Sequence, residues 1–139
     1  MIERTKLDRV LHSIEAERGP FALAGLFMRE DSPGRWDLVV SAPWLQRGKL
    51  MALGEFVKRL SDALGQDEVL SLSRIVTLNR KDPVLKRILQ DLGTITQPVE
   101  RVGHNLFGLP LEHAYVLRAH ARTPSNKRIQ PTARRARRG

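Results

Sequence analysis

The segment FALAGLFMRE, residues 21–30, is apolar at both of its alternating sets of positions. Successive side chains of a β-strand point to opposite faces. This pattern therefore predicts a strand that is covered on both faces or lies centrally in a sheet. The turn residues DSPG follow, and RWDLVVSA, residues 35–42, has the composition of a second strand. Together these segments predict a β-hairpin, which ends before Pro43 because proline has no N–H for the ladder.

Three segments have the apolar spacing of amphipathic helices. The first spans residues 4–18, and the second spans residues 47–64 with Gly65 as its C-terminal cap. The third spans residues 83–92, between an Asp82 N-cap and Gly93. On the second helix, the predicted apolar stripe consists of Leu50, Leu53, Val57, Leu60 and Leu64, and Phe56 broadens it.

Three further segments, residues 69–79, 94–102 and 113–120, have the composition of strands. Arg74 interrupts the apolar pattern of the first, and Pro98 favours an edge position for the second. The resulting order, α-β-β-α-β-α-β-β, predicts an α+β fold. We expect a single domain, residues 1–121, with a mixed or antiparallel sheet of about five strands and three helices that lie mainly on one face.

The positive charge is concentrated at the C-terminal end of the chain. The formal net charge is +9, yet residues 1–121 contain 17 basic and 15 acidic residues, a net charge of only +2. Residues 122–139 contain seven basic residues and no acidic ones. Two prolines and few large apolar side chains predict that this basic tail is disordered. Nucleic acid is expected to bind only weakly, and only through the tail.

Cysteine is absent, which excludes disulfides, thiolate metal ligands and a cysteine nucleophile. No apolar segment approaches the roughly 20 residues that span a bilayer. The N-terminus also lacks the pattern of a signal peptide. These features predict a cytoplasmic protein that does not associate with membranes.

Two resemblances concern particular segments. The tail, SNKRIQPTARRARRG, is similar to C-terminal segments that arise by read-through of an interspersed DNA repeat. The segments RWDLVVSAPW and NLFGLPLEHAYV resemble small uncharacterised bacterial α+β proteins. The second resemblance covers most of residues 1–120 and implies no activity.

Asp37 is the acidic residue whose surroundings most suggest chemistry. The segment GRWDLVV is similar to the metal-binding strand of nucleotidyltransferase-like folds, which requires serine after the glycine and a second acid two residues after the first. Here Arg35 follows Gly34, and Val39 occupies the second position. We therefore interpret Asp37 as an outward-facing position of a half-exposed strand.

The common catalytic motifs are missing from the sequence, including GxSxG, GxGxxG and the P-loop. His113 and His120 are seven residues apart, so on one strand they point to opposite faces and do not share a metal ion. We accordingly predict no catalytic residue, no metal site and no cofactor.

Two loops are candidates for binding a small anion. The segment PWLQRGK leads into the second helix and places Trp44, Arg47 and Lys49 near its N-terminus, where free N–H groups and the helix dipole favour anions. The loop GHNLFG adds the polar side chains of His104 and Asn105. These five residues form the predicted ligand-binding set.

The favoured function is a non-enzymatic binding or protein-interaction module, whose partner is another protein or a second copy of the chain. The alternative is a small enzyme that acts on a phosphorylated or nucleotide ligand bound near Arg47 and Lys49. A pocket with several converging ionisable side chains favours an enzyme, whereas a flat apolar face favours an interaction module.

Overall fold

The computed structural model describes residues 3–47 and 49–121, except for the side chain of Lys49. The tail, residues 122–139, and its predicted disorder lie outside these residues. The described elements, in chain order, are α1 (Arg4–Arg18), β1 (Leu23–Arg29), β2 (Trp36–Ser41), α2 (Pro43–Gln46), α3 (Lys49–Ala63), α4 (Gln66–Leu70), β3 (Leu72–Thr77), α5 (Pro83–Leu92), β4 (Val99–Val102), a single 3₁₀ turn (Leu106–Gly108) and β5 (Leu111–Ala119).

One mixed sheet of five strands organises the fold, in the order β3-β2-β1-β5-β4. The β2–β3 pair is parallel and the other pairs are antiparallel. The α+β class, the five strands and the central position of β1 are therefore confirmed. At the β1–β5 pairing, a Cβ on Gly25 would lie 3.0 Å from the Tyr115 carbonyl oxygen and 3.1 Å from the Val116 Cα, so this close approach of two backbones requires glycine.

Helices cover both faces of the sheet. The four helices α1 to α4 pack on one face, around Phe21, Leu38 and Phe56. Helix α5 and the 3₁₀ turn pack on the other face, against β1, β2 and β5. The prediction that helices lie mainly on one face is confirmed, and α5 makes the sheet the middle layer of three.

Among the described residues there are five α-helices, where the sequence predicted three. The additional helices, α2 and α4, are only four and five residues long. Extended backbone at Arg47 separates α2 from α3, and extended backbone at Gly65 begins α4. Helix α3 therefore begins at Lys49, two residues later than predicted. None of the described helices is long and apolar enough to cross a membrane.

The buried face of α3 differs in part from the predicted stripe. Leu60 and Leu64 are buried and Leu53 is half-buried, but Leu50 is 84 % exposed and Val57 is 37 % exposed. Phe56 is buried as predicted, and Ala52 also belongs to the inner face. The prediction was wrong for Leu50 and Val57 because the apolar surface of α3 is broader than the surface that the sheet and α1 cover.

Candidate functional site

Asp37 lies near the start of β2, an interior strand of the sheet, on the face that α5 covers. The residue is only 4 % exposed, so the prediction of an outward-facing side chain was wrong. The alternation along β2 was assigned correctly, but all six residues of the strand are buried. Since α5 and the segment before β5 pack over this face, neither side of β2 faces solvent.

Two arginines from the neighbouring strands hold one oxygen of this carboxylate. Arg29 of β1 and Arg74 of β3 each donate from Nε to Asp37 Oδ2, at 3.1 Å and 3.0 Å. Arg74 is the direct cross-strand neighbour of Asp37, and Arg29 also reaches Asp31. Charge-assisted hydrogen bonds of this kind offset part of the cost of removing a carboxylate from water.

The other carboxylate oxygen, Asp37 Oδ1, is buried and has no hydrogen-bond partner among the described residues. Buried polar atoms are nearly always hydrogen-bonded, because an unsatisfied buried acceptor costs free energy. Oδ1 is therefore a buried acceptor with an unsatisfied hydrogen-bonding position, and a donor placed against it would offset that cost.

A mostly apolar cleft of about 260 Å³ adjoins this carboxylate. We call it the Asp37 cleft. Its polar side chains are Asp37, Arg29 and Arg74, and aliphatic or aromatic groups form the rest of its wall. Concave, largely apolar sites with a few fixed polar groups are typical of ligand binding. The apolar lining residues are Phe27, Val39, Val76, Leu78, Val84, Ile88, Leu109, Pro110 and Leu111.

A second groove, of about 230 Å³, lies between α1 and α3. Its charged side chains form three pairs with one another: Arg18 with Glu55, Arg59 with Glu17, and Lys58 with Asp62. These pairs already satisfy the groups that a polar ligand would contact. The groove therefore lacks the unsatisfied acceptor that distinguishes the Asp37 cleft.

Trp44, predicted to belong to an anion site, is buried in the core. Its ring packs edge-on against Phe21 and Phe56, with centroids 5.5 Å and 6.2 Å away. Its Nε1 donates to the carbonyl oxygen of Gly19 at 3.3 Å. These contacts fix the turn between α1 and β1 and leave the ring in the core of the protein.

Arg47 and Lys49 lie beyond the C-terminal end of β2. Arg47 is exposed, and the Lys49 side chain is outside the described atoms. The adjacent Gln46 accepts a hydrogen bond of 3.3 Å from Asn79, in the loop after β3. Because β2 and β3 are parallel, both loops lie at the same end of the sheet.

His104 and Asn105 lie at the opposite end of the sheet. The Asn105 backbone N–H donates to Glu30, immediately after β1, at 3.0 Å. The His104 side chain is 85 % exposed, with Nδ1 3.6 Å from the same carboxylate. Since β1 and β2 are antiparallel, the end of β1 is far from the end of β2. The structure therefore does not bring His104 and Asn105 together with Trp44 and Arg47.

Sequence reasoning missed Arg29 and Arg74 as site residues. One signal was present, because Arg74 interrupts the apolar pattern of β3 and is therefore a candidate partner for a carboxylate on a neighbouring strand. Arg29 gave no comparable signal at the end of β1. Within residues 3–47 and 49–121, no group of three or more histidine or acidic side chains is arranged to hold a metal ion.

Comparison of the chain with protein-family models, curated proteins and solved structures finds no match in any of the three. The function is therefore inferred from the geometry of the chain itself.

Proposed function

We propose that this protein is a non-enzymatic binding module whose ligand site is the Asp37 cleft. The ligand places an apolar group against the cleft wall and donates a hydrogen bond to Asp37. The observation that carries this proposal is the buried Oδ1 of Asp37, which lacks a partner among the described residues while the same side chain lines an apolar cleft.

The ionisable side chains in the cleft favour binding over catalysis. Three of them converge, which by itself is typical of an active site. Two are guanidinium groups, however, which stay protonated and do not act as general bases. The third, Asp37, is held at Oδ2 by both arginines. The cleft lining includes no histidine, lysine, serine or second carboxylate with which Asp37 would exchange a proton.

The alternative is a phosphorylated or nucleotide ligand at the N-terminus of α3. Arg47 is exposed there, at the end of the sheet where the parallel strands β2 and β3 finish. That end of a parallel strand pair is a common place for ligands. The double variant Arg47→Ala/Lys49→Ala separates this alternative from the proposal, because neither residue lines the Asp37 cleft.

A thermal-shift screen tests the proposal. The compounds are branched aliphatic or phenyl molecules that each carry one polar group, with inorganic phosphate and a nucleotide included. A compound that binds only the folded state raises the melting temperature. We expect apolar compounds with a hydrogen-bond donor to raise it, and the shift to persist in Arg47→Ala/Lys49→Ala.

Val84→Phe provides the matched test of location. Val84 is a half-buried residue of α5 that lines the cleft, so a larger side chain there fills the cleft. Val57→Phe makes the same change on the exposed side of α3. The proposal predicts loss of the shift in Val84→Phe and retention in Val57→Phe. A shift obtained only with phosphate or nucleotide, and lost in Arg47→Ala/Lys49→Ala, would support the alternative.

A further inference from the structure

We propose that the polar group recognised in the Asp37 cleft is a neutral carboxamide. Its N–H donates to Asp37 Oδ1, and its carbonyl oxygen accepts from the guanidinium of Arg74. This inference rests on the proposed function and specifies the chemical class of the ligand.

The hydrogen bonds that Asp37 and Arg74 already make show which of their atoms remain unpaired. Asp37 Oδ2 receives two N–H groups, whereas Oδ1 receives none from the described residues. Arg74 uses Nε for Asp37, and its two Nη nitrogens make no hydrogen bond within the described part of the chain. Its side chain is 56 % exposed and lines the cleft. The site therefore presents one free acceptor close to free donors.

The covalent connectivity of these free atoms is the basis for choosing an amide. Oδ1 adjoins the Oδ2 that binds Arg74, and the Nη nitrogens adjoin the Nε that completes the same hydrogen bond. A carboxamide carries its donor and its acceptor on different atoms of one rigid plane. It therefore satisfies Oδ1 and one Nη together and extends the existing Asp37–Arg74 pair.

The local charge favours a neutral group. The cleft lining carries two positive charges, on Arg29 and Arg74, and one negative charge, on Asp37. Asp31, an exposed carboxylate outside the lining, pairs with Arg29 and offsets the remaining positive charge. A carboxylate ligand has no proton for Oδ1 and adds a negative charge beside it. An ammonium ligand satisfies Oδ1 but brings a further positive charge next to two guanidinium groups, in an apolar cleft.

Four probes with one carbon skeleton test the inference on the full-length protein. They are 3-phenylpropanamide, 3-phenylpropanoate, 3-phenylpropylammonium and 3-phenylpropan-1-ol, titrated while backbone amide signals are followed by NMR. We expect 3-phenylpropanamide to shift the signals of Val39, Val76 and Ile88, which line the cleft. We also expect it to bind at least about tenfold more tightly than either charged probe, as one well-placed buried hydrogen bond predicts.

Arg74→Lys tests the acceptor half of the amide. Lysine keeps the charge but loses the planar arrangement of donors. We expect this variant to lose most of the preference for the amide over the alcohol. Arg35→Lys is the matched control, because Arg35 is exposed and does not line the cleft.

The outcomes separate the two proposals. If all four probes shift the cleft signals with equal affinity, or if a charged probe binds most tightly, the carboxamide inference is wrong while the cleft remains a binding site. If no probe shifts the cleft signals in the wild-type protein, the proposed function fails and the inference fails with it. An unchanged amide preference in Arg74→Lys would also overturn the inference.

Discussion

Arg118 of β5 donates from Nε to Glu15 Oε1 of α1 at 2.8 Å, a contact between residues 103 positions apart in the sequence. Its Nη1 donates to Asp8, also on α1, at 2.6 Å. Burial alone would lower the pKa of Arg118, but the hydrogen bonds to Glu15 and Asp8 outweigh it and raise the pKa above its ordinary value. The guanidinium therefore holds α1 on the sheet as a permanent charge.

We expect Arg118→Met to lower the free energy of unfolding by about 1.5–3 kcal/mol, because two carboxylates lose a charged hydrogen-bond donor. Urea denaturation measures the change. Arg59→Met is the control, since Arg59 also pairs with a carboxylate of α1, Glu17, but in a more exposed position. Exposed pairs contribute at most about 1 kcal/mol. Equal losses of unfolding free energy in the two variants would show that the Arg118 contacts contribute no more to stability than an exposed ion pair.

The second prediction concerns the structural role of Asp37. Asp37→Ala leaves Arg29 and Arg74 without their shared acceptor, so we expect a loss of about 2–3 kcal/mol in the free energy of unfolding. This is below the range for a fully buried pair because Arg74 is partly exposed. Arg74→Met should cost less, since Arg29 still holds the carboxylate. A loss within about 0.5 kcal/mol for Asp37→Ala is the behaviour of a surface position and would contradict its burial.

Local signals in the sequence were sufficient for much of the fold. Helices α1 and α5 begin and end at the predicted residues, and α5 has both predicted caps, at Asp82 and Gly93. These features depend on residues close together in the sequence, such as a capping side chain or apolar spacing along one helix. The start of α3 was predicted two residues too early, because Arg47, a residue type that favours helices, adopts extended backbone there.

The site depends on contacts that no local pattern specifies. The alternation along β2 correctly placed Asp37 on the opposite face of the strand from Trp36 and Leu38. It does not reveal that α5 packs over the face on which Asp37 lies. The two partners of Asp37 lie on different strands, one 37 residues later in the chain. Only the strand order brings Arg29, Asp37 and Arg74 side by side, so the cleft could not be predicted from the sequence.

The third prediction distinguishes the two sides of α3. Leu60→Ala should lower the free energy of unfolding by about 2–5 kcal/mol, since Leu60 is 2 % exposed and packs in the core below α1. Leu50→Ala should change it by no more than about 0.5 kcal/mol, because that side chain is exposed in the described structure. Urea denaturation compares the pair. A large loss in Leu50→Ala would mean that another surface covers this side of α3.

Glu68, on α4, is buried and accepts hydrogen bonds from one side chain and two backbone N–H groups. Its Oε1 accepts from Lys6 Nζ at 2.7 Å and from the Gly65 N–H at 2.9 Å, and its Oε2 accepts from the Glu3 N–H at 2.7 Å. The hydrogen bond from Lys6, followed by those from Gly65 and Glu3, lowers the pKa of Glu68 from 4.5 to about 2. The carboxylate therefore ties the start of α1 to α4 in its ionised form.

The fourth prediction is a pH dependence of stability that follows from this pKa. Because the pKa of Glu68 is lower in the folded state, its contribution is fully present above pH 4.5 and is lost as the pH falls towards about 2. We expect Glu68→Gln to destabilise the protein at about pH 6 and to reduce the loss of stability between about pH 6 and about pH 3.

Asp67→Asn, at the exposed neighbouring position, should keep the wild-type profile. The lowered pKa values of Glu3 and Glu100 act in the same direction, so part of the slope should persist in Glu68→Gln. Urea denaturation midpoints at the two pH values measure the change in stability. If this change were as large in Glu68→Gln as in the wild type, Glu68 would not stabilise the fold through its charge.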